Sequence, residues 1–288
     1  MPELPEVESV RISLASCLPG RSIESVRVFR EGVLLSSPDR LMGLVIMDLE
    51  RRGKYLQLNL SDGSRLLVHL RMTGRLCFSE PCPEPEKHTH VQINLSPGGC
   101  LTYTDSRRFG RLQQFDRDEP LSKTAFAGME ALGPEPLGSD LTVEHLVRVC
   151  HRHARAPIKS LLLNQQAIAG LGNIYADESL FLAGIHPLTP SGQLKRAKLA
   201  DLLVSIQTVI GTAIDHRGTT LRDYVDGHRI PGTFQYELKV YGRKGQPCTC
   251  CDGTIECVKS AGRTTCFCPV CQKLTKKRPT SAKRSSIR

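Results

Sequence analysis

The sequence predicts an α+β protein, in which an N-terminal antiparallel β-sandwich with flanking helices precedes a helical domain and a β-hairpin zinc finger. Three observations predict this order: alternating apolar residues in the first part, apolar residues at helical spacing after residue 140, and paired Cys-x-x-Cys sequences near the C-terminus. The chain has 288 residues, of which 40% are hydrophobic, so it is long enough for more than one domain and can bury cores.

Strand patterns dominate residues 1–116, after a short helical pattern that Pro5 can open. Apolar and polar residues alternate over 56–60, which is typical of a half-buried strand. Turn-forming residues at 62–63 and at 96–99 divide the later strands into two hairpins. An antiparallel sandwich is therefore expected here.

Residues 117–140 are rich in Pro, Gly and charged residues, so a linker or irregular crossover is expected. Residues 141–240 carry apolar residues at helical spacing and predict a helical domain. The predicted helices begin near Val143, Pro157, Asn173 and Leu199.

The strongest chemical signal is two Cys-x-x-Cys sequences on either side of a 16-residue insert: Cys248, Cys251, Cys268 and Cys271. Tetrahedral zinc takes four thiolates in this arrangement, and an insert of this length suits a β-hairpin. Residues 241–272 are therefore predicted to be a zinc finger with one structural Zn²⁺. Other ligand sets stay open, because three further thiols lie in the same segment: Cys250, Cys257 and Cys266.

The ends of the chain indicate its environment. The N-terminus carries glutamates where a secretory signal would be basic, and no apolar run approaches the length of a membrane span. A cytoplasmic protein with reduced cysteines is expected. The net charge is +10, of which seven positive charges lie in residues 273–288. This segment is predicted to be a disordered basic arm that attracts phosphate, or a dispensable solvated tail.

Six sequence motifs are distributed along the whole chain: MPELPEVE at 1–8, RRGKYL at 51–56, HLRM at 69–72, TDSRRFG at 104–110, LGNIYADE at 171–178 and VYGRKG at 240–245. Together they resemble the bacterial formamidopyrimidine-DNA glycosylases, a branch of the Fpg/Nei family. The resemblance implies a helix–two-turn–helix domain around Asn173 and a bacterial-type cytoplasmic location at the nucleoid. It also implies that the partner is double-stranded DNA with oxidised bases or abasic sites; a monomer is the default expectation.

The resemblance implies that Pro2 is the nucleophile once the initiator methionine is removed. Its secondary amine would attack C1′ of a damaged nucleoside, and the resulting iminium ion would acidify the C2′ proton. Glu3 is implied to be the acid–base catalyst, with Glu6 in support. Lys54 is implied to transfer protons in β-elimination and to contact a phosphate, and Arg263 to assist δ-elimination. Without the resemblance, these would be solvated carboxylates at a helix start, a surface lysine and a hairpin arginine.

An enzyme that attacks C1′ must extrude the nucleotide and fill the gap that it leaves. The resemblance implies three void-filling residues: Met72, Arg107 and Phe109. It implies phosphate contacts from five others: His90, Arg108, Arg155, Lys159 and Asn173. It also implies a helix at Thr219–Tyr224, a strand at Phe234 and, between them, a lesion-recognition loop at Asp226–Thr233, whose glycines predict a mobile lid.

The implied function is that of a bifunctional DNA glycosylase and AP lyase of base excision repair. It would remove 8-oxoguanine and formamidopyrimidines through a Pro2 Schiff base and cut the strand by β,δ-elimination. One alternative is an endonuclease VIII-like enzyme for oxidised pyrimidines, although Leu4-Pro5 favours the purine branch. The other is a non-catalytic zinc-finger binder of damaged DNA, against which the retained Pro2, Glu3, Lys54 and Arg263 argue.

Overall fold

The computed structural model describes residues 1–260 and 262–274, so most of the predicted basic tail lies outside the described residues. The N-terminal domain contains eight strands: β1 Ser22–Val28, β2 Ile46–Arg52, β3 Tyr55–Leu60, β4 Arg65–His69, β5 Gly74–Ser79, β6 Thr89–Ser96, β7 Cys100–Asp105 and β8 Arg111–Phe115. They form two antiparallel sheets, in the orders β1-β6-β7-β5 and β2-β3-β4-β8. The predicted α+β class and the antiparallel sheets are confirmed.

Both predicted hairpins are present, because β3 pairs with β4 and β6 pairs with β7. At the first turn the Asp62 carboxylate accepts hydrogen bonds from the N–H and the hydroxyl of Ser64. The alternation in β3 buries Leu56 and Leu58 in the core between the sheets.

Helix α1, Leu4–Ala15, joins the two main domains. Its residues Val7, Val10 and Leu14 pack into the sandwich core, whereas Leu4 packs into the core of the helical domain. Because burial on two sides fixes this helix, it also fixes the residues that precede it at the boundary between the domains.

The helical domain contains α2 Val143–Arg152, α3 Ile158–Leu162, α4 Asn173–Leu182 and α5 Arg196–Asp215. Thr142 caps α2, because its hydroxyl accepts the N–H of His145 at 3.1 Å. Tyr175 of α4 and Ile206 of α5 are both fully buried in the shared core. All four helices begin close to where the spacing of apolar residues predicts.

By length and composition alone, α5 could cross a membrane, which differs from the expectation that no apolar run approaches that length. Its Leu202, Ile206 and Ile210 are buried in the core of the domain, and the helix packs against α1, α2 and α4. A core helix passes the same test of length and hydropathy, and these contacts are typical of one.

The finger hairpin consists of β9 Glu256–Ser260 and β10 Arg263–Phe267. Its base is attached to α4 through the buried carboxylate of Glu178, which accepts three backbone N–H groups, those of Lys239, Val240 and Tyr241. Burial raises the pKa of Glu178, and the three N–H donors lower it. The chain that enters the finger is thus fixed by a side chain of the helical domain.

The predicted linker 117–140 packs against the sandwich. Glu135 forms ion pairs with Arg51 at 2.7 Å and Arg52 at 2.9 Å, and it accepts the N–H of Gly53. The carbonyl of Pro134 also accepts the N–H of Ala169 in the helical domain at 3.0 Å, so this segment contacts both domains.

Two expectations for residues 219–236 are wrong. Thr219–Tyr224 forms no helix; the N–H groups of Thr219 and Thr220 donate to the side-chain oxygens of Glu6 and Gln235. Phe234–Tyr236 is a 3₁₀ turn, not a strand. In the predicted loop Asp226–Thr233, the carbonyl of Gly227 accepts the N–H of Phe78 on β5 at 2.8 Å. The mobility of this loop stays a prediction.

The expectation of reduced cysteines is also wrong for one pair. Cys257 on β9 and Cys266 on β10 lie directly opposite each other and form a disulfide, with their Cα atoms 4.1 Å apart. The sequence gives their positions but not the register of the hairpin, and the register makes them neighbours.

Candidate active site

Two adjoining cavities, of about 360 and 700 Å³, lie at the N-terminus of the chain. Met1 lines both of them, and Pro2 lines the smaller. The larger cavity receives Lys54 from the sandwich, Asn173 from the helical domain and Arg263 from the finger. All three parts of the protein therefore meet around the first residues.

Hydrogen bonds with the backbone at residues 170–174 hold Glu3 and the first residue of α1. The carboxylate of Glu3 accepts the N–H of Ile174 at 3.1 Å, and the N–H of Leu4 donates to the carbonyl of Gly170 at 3.1 Å. A Cβ atom at Gly172 would overlap the Glu3 carboxylate, and Gly170 has a φ of +81°. The other oxygen of Glu3 is buried and has no hydrogen-bond partner within residues 1–260 and 262–274, which leaves it available to a reacting group.

Glu6 lies one turn further along α1 and is buried. Its carboxylate accepts the hydroxyl of Tyr175, the N–H of Thr219 at 2.7 Å and the N–H of Glu3 at 2.7 Å. Burial, together with the charge of Glu3, raises the pKa of Glu6 to about 7, although these hydrogen bonds oppose the rise. Glu6 therefore titrates near neutral pH between Glu3 and the segment that begins at Thr219.

Lys54 is buried beside the same carboxylates, and its ammonium donates to the carbonyl of Leu171 at 2.9 Å. Burial lowers the pKa of Lys54; Glu3 and Glu6 raise it, and the guanidinium of Arg263 lowers it further. A lysine with a lowered pKa gives up its proton more readily, which suits proton transfer.

Two residues with predicted phosphate contacts bind the finger hairpin. Lys159 is 2% exposed, forms an ion pair with Asp177 at 2.7 Å and donates to the hydroxyl of Thr265 at 3.0 Å. The amide of Asn173 donates to the carbonyl of Thr264 at 3.0 Å. The phosphate contact predicted for Lys159 does not fit this position, because its ammonium lies inside the protein. Asn173 also lines the larger cavity, so its predicted DNA contact stays a prediction.

The sulfur atoms of the four predicted ligands lie within 4.8 Å of one another: Cys248, Cys251, Cys268 and Cys271. Thiolates so arranged fit one tetrahedral metal ion, and the predicted quartet is confirmed as a group that can hold a metal. The register of the hairpin between them places Arg263 at its far end, beside the larger cavity.

Comparisons with known proteins agree with this geometry. The sequence profile of the formamidopyrimidine-DNA glycosylase N-terminal domain matches residues 1–112, and that of the formamidopyrimidine-DNA glycosylase H2TH domain matches residues 132–225. The formamidopyrimidine-DNA glycosylase of Desulforamulus reducens is 45% identical over 280 residues, covering 95% of this chain and 99% of that protein. The chain belongs to the formamidopyrimidine-DNA glycosylase family. The enzyme of that name from Desulfitobacterium hafniense is 43% identical over 277 residues, covering 94% of this chain and all of that protein.

Solved structures of the formamidopyrimidine-DNA glycosylase family share the fold. A Lactococcus lactis FPG mutant in complex with Fapy-dG-containing DNA is 37% identical with a TM-score of 0.87, over 94% of this chain and 100% of that one. The complex of Lactococcus lactis Fpg with abasic-site DNA has 37% identity and a TM-score of 0.86, over 94% and 99% of the two chains. MutM in complex with carbocyclic 8-oxo-G DNA has 36% identity and a TM-score of 0.86, over 94% and 100%.

The three predicted void-filling residues lie together on the surface. A guanidinium nitrogen of Arg107 lies 3.1 Å from the sulfur of Met72, and the guanidinium stacks on the ring of Phe109 with 4.8 Å to its centroid. Met72 and Phe109 are 40% and 49% exposed, which core residues would not be. Their role in DNA stays a prediction.

Asp105 shapes the loop that carries two of these side chains. Its carboxylate accepts the N–H of Arg107 at 3.1 Å, the N–H of Gly110 at 2.9 Å and the hydroxyl of Thr73 at 2.5 Å. These bonds hold the pKa of Asp105 below its usual value although burial opposes this.

The remaining predicted phosphate contacts divide into exposed and buried groups. Arg108 and Arg155 are exposed, so their guanidinium groups are accessible to a phosphate. His90 is 6% exposed, and a ring nitrogen lies 2.7 Å from the carbonyl of Asp105, so it supports the Asp105 loop. Its phosphate contact stays a prediction.

Sequence reasoning missed several residues that line the cavities in this glycosylase family member. Arg222 and Asp223 line the smaller cavity, and Leu221 and Tyr241 line both. The VYGRKG motif includes Tyr241, but the residues at 221–223 have no pattern that distinguishes them from a surface loop. They reach the cavity because Glu6 binds Thr219 just before them.

The raised pKa of Glu6 predicts a pH effect on stability. The unfolded carboxyl loses its proton near pH 4.5 and the folded one near pH 7, so Glu6 makes folding less favourable as pH rises through this range. The free energy of unfolding of Glu6→Gln minus that of the wild type should therefore increase by about 1 to 3 kcal/mol from pH 5 to pH 7.5. Urea unfolding at both values measures the difference. Glu24→Gln, an exposed position, is the control; an equal difference at both pH values would contradict the prediction.

Proposed function

We propose that this protein is a bifunctional DNA glycosylase and AP lyase of base excision repair, which removes oxidised purines from duplex DNA. The observation that carries the proposal is the convergence of Glu3, Lys54 and Arg263 on cavities at the N-terminal Pro2. Relatives crystallised with Fapy-dG, abasic-site and 8-oxo-G analogue DNA support the same substrate class. We further propose a monomer located in the cytoplasm at the nucleoid.

Pro2 supplies the nucleophile once Met1 has been removed. The nitrogen lone pair attacks C1′ of the extruded nucleotide, and the glycosidic bond breaks with its electrons passing to the base. An unprotonated amine is required, and α-amino groups titrate at about 7.7–8.0, so a usable fraction is free near neutral pH. The iminium that forms between Pro2 and the opened sugar withdraws electrons from C2′, and loss of that proton expels the 3′ phosphate.

Proton transfers fall to the neighbouring groups. The unpartnered oxygen of Glu3 can protonate the sugar oxygen and later accept a proton. The lowered pKa of Lys54 lets it exchange a proton at the sugar. Arg263, at the end of the hairpin, stabilises the phosphate that leaves in δ-elimination.

The smaller cavity is the site where we place the extruded base, because it adjoins Pro2 and offers both polar and apolar groups. Its wall includes Thr219 and Asp223 on the segment fixed by Glu6. Met72, Arg107 and Phe109 fill the vacated position in the duplex, and the exposed Arg108 and Arg155 contact its phosphates.

Borohydride trapping tests the proposed Pro2 chemistry. Protein whose N-terminal residue is Pro2 should form a covalent adduct with DNA containing 8-oxoguanine, because borohydride reduces the iminium to a stable amine. The same protein with a removable N-terminal fusion should form none, since its Pro2 nitrogen is an amide, and protease removal of the fusion should restore the adduct. Equal trapping of the fused protein, or of Pro2→Gly at an unchanged rate, would refute the mechanism.

The substrate proposal is tested on matched duplexes. Excision of 8-oxoguanine opposite cytosine should be at least about tenfold faster than excision of thymine glycol, a ratio that corresponds to about 1.4 kcal/mol in the barrier. Single-turnover rates on the two duplexes give the comparison. A preference for thymine glycol would instead support the endonuclease VIII-like alternative.

We propose that the metal held by the four cysteines is zinc, because four thiolates in two Cys-x-x-Cys pairs are typical of structural Zn²⁺. Metal analysis should give one zinc per chain. Removal of the metal by a chelator in reducing buffer should abolish DNA binding and strand cleavage together, since the hairpin carries Arg263. Re-addition of Zn²⁺ should restore both, and full-rate cleavage by the metal-free, reduced protein would contradict the proposal.

A further inference from the structure

The finger contains a second covalent feature besides its metal ligands. Cys257 and Cys266 face each other across the hairpin, and their Cα separation of 4.1 Å matches the close type of antiparallel pair, in which the two residues do not hydrogen-bond to each other. The disulfide therefore spans the pair whose side chains lie nearest. Neither residue belongs to the four-cysteine cluster.

The position of Cys266 also connects the disulfide to the helical domain. Because its N–H points away from β9, it donates to the carboxylate of Asp177 on α4 at 3.0 Å. Two residues earlier, the carbonyl of Thr264 also faces outward and accepts from Asn173 and Lys159. Thus β10 is bound to β9 on one edge and to the start of α4 on the other.

Arg263 lies three residues before Cys266, at the end of β10 that lines the larger cavity. The metal holds the opposite end of the hairpin, since Cys268 follows β10 directly. The disulfide lies between these two points. A break in strand pairing that starts at the metal must pass the disulfide before it displaces Arg263.

We propose that Cys257 and Cys266 form a thiol–disulfide site, distinct from the metal cluster, whose oxidised state keeps the Arg263 hairpin in register without the metal. The chemical partners of the site are small-molecule thiols and disulfides. Its effect on DNA cleavage rests on the proposed function, because that function gives Arg263 its role.

Access to the two sulfur atoms differs. Cys266 is 3% exposed, whereas Cys257 is partly exposed. A small thiolate attacks the sulfur of Cys257, forms a mixed disulfide there and releases the thiolate of Cys266. A second small thiolate then attacks the mixed disulfide and releases Cys257, so two small thiols are oxidised to one small disulfide while the protein gains two thiols. The reverse sequence, with a small disulfide as oxidant, forms the bond.

The first experiment identifies the site without reference to activity. The metal-loaded protein is equilibrated in glutathione mixtures from fully reduced to fully oxidised, quenched by alkylation and mapped by mass spectrometry of its peptides. We expect one reversible transition, in which the Cys257–Cys266 linkage replaces two alkylated thiols. Two free thiols even in oxidised glutathione, or a linkage that joins either residue to a metal ligand instead, would overturn the proposal.

The second experiment measures what the linkage does. After metal removal, amide hydrogens of β9 and β10 should exchange at least tenfold more slowly in the oxidised protein than in the reduced one. A Cys257→Val/Cys266→Val double variant, which keeps an apolar cross-strand pair, should exchange at the fast rate under both conditions. Cys250→Ser, an exposed finger cysteine outside the pair, should behave like the wild type. Equal exchange in oxidised and reduced wild type would overturn the proposal.

Cleavage of abasic-site DNA separates this inference from the proposed function. During chelation, oxidised wild type should lose activity at least tenfold more slowly than reduced wild type or the double variant. Equal rates of loss in active protein would overturn the inference alone. Absence of cleavage by metal-loaded protein in both redox states would refute the proposed function, while the mapping and exchange results would still decide the disulfide site.

Discussion

The start of helix α4 is the constraint on which the functional site depends. The N–H of Ile174 holds the Glu3 carboxylate, Asp177 holds β10, and Glu178 holds the chain that enters the finger. Burial raises the pKa of Asp177 to about 6, and its ion pair with Lys159 opposes that rise. Removal of one partner from such a buried pair typically costs about 3–5 kcal/mol, because the other charge stays buried and unpaired.

The organisation around α4 explains how distant parts of the chain act together. Pro2 and Arg263 lie near opposite ends of the sequence, yet both reach the cavities because α1 and β10 are bound to the same helix. The glycines at 170 and 172 permit the close approach of α1, since a side chain at either would collide with Leu4 or Glu3. Rigid secondary structure thus positions the reacting groups, which is what catalysis by proximity requires.

The hydrogen bonds of the Glu6 carboxylate also connect the site to the segment that begins at Thr219. Glu6 contacts Glu3 through a backbone N–H and contacts Thr219 through its carboxylate, and its raised pKa places its charge change near neutral pH. The wall of the smaller cavity is therefore attached to the helix that follows Pro2. The Asp226–Thr233 segment also contacts the sandwich, because the carbonyl of Gly227 accepts the N–H of Phe78.

Much of the protein follows from local sequence. Period-two alternation predicts β3 and helical spacing predicts α2 and α5, because these patterns concern residues that are neighbours along the chain. Two Cys-x-x-Cys pairs predict a metal site, and the structure shows which four of the finger's thiols come together. Tertiary structure alone decides the burial of Lys159 against Asp177, the path of residues 219–224 and the pairing of Cys257 with Cys266. These features depend on partners far away in the sequence or on the register of two strands, and local propensity carries no information about either.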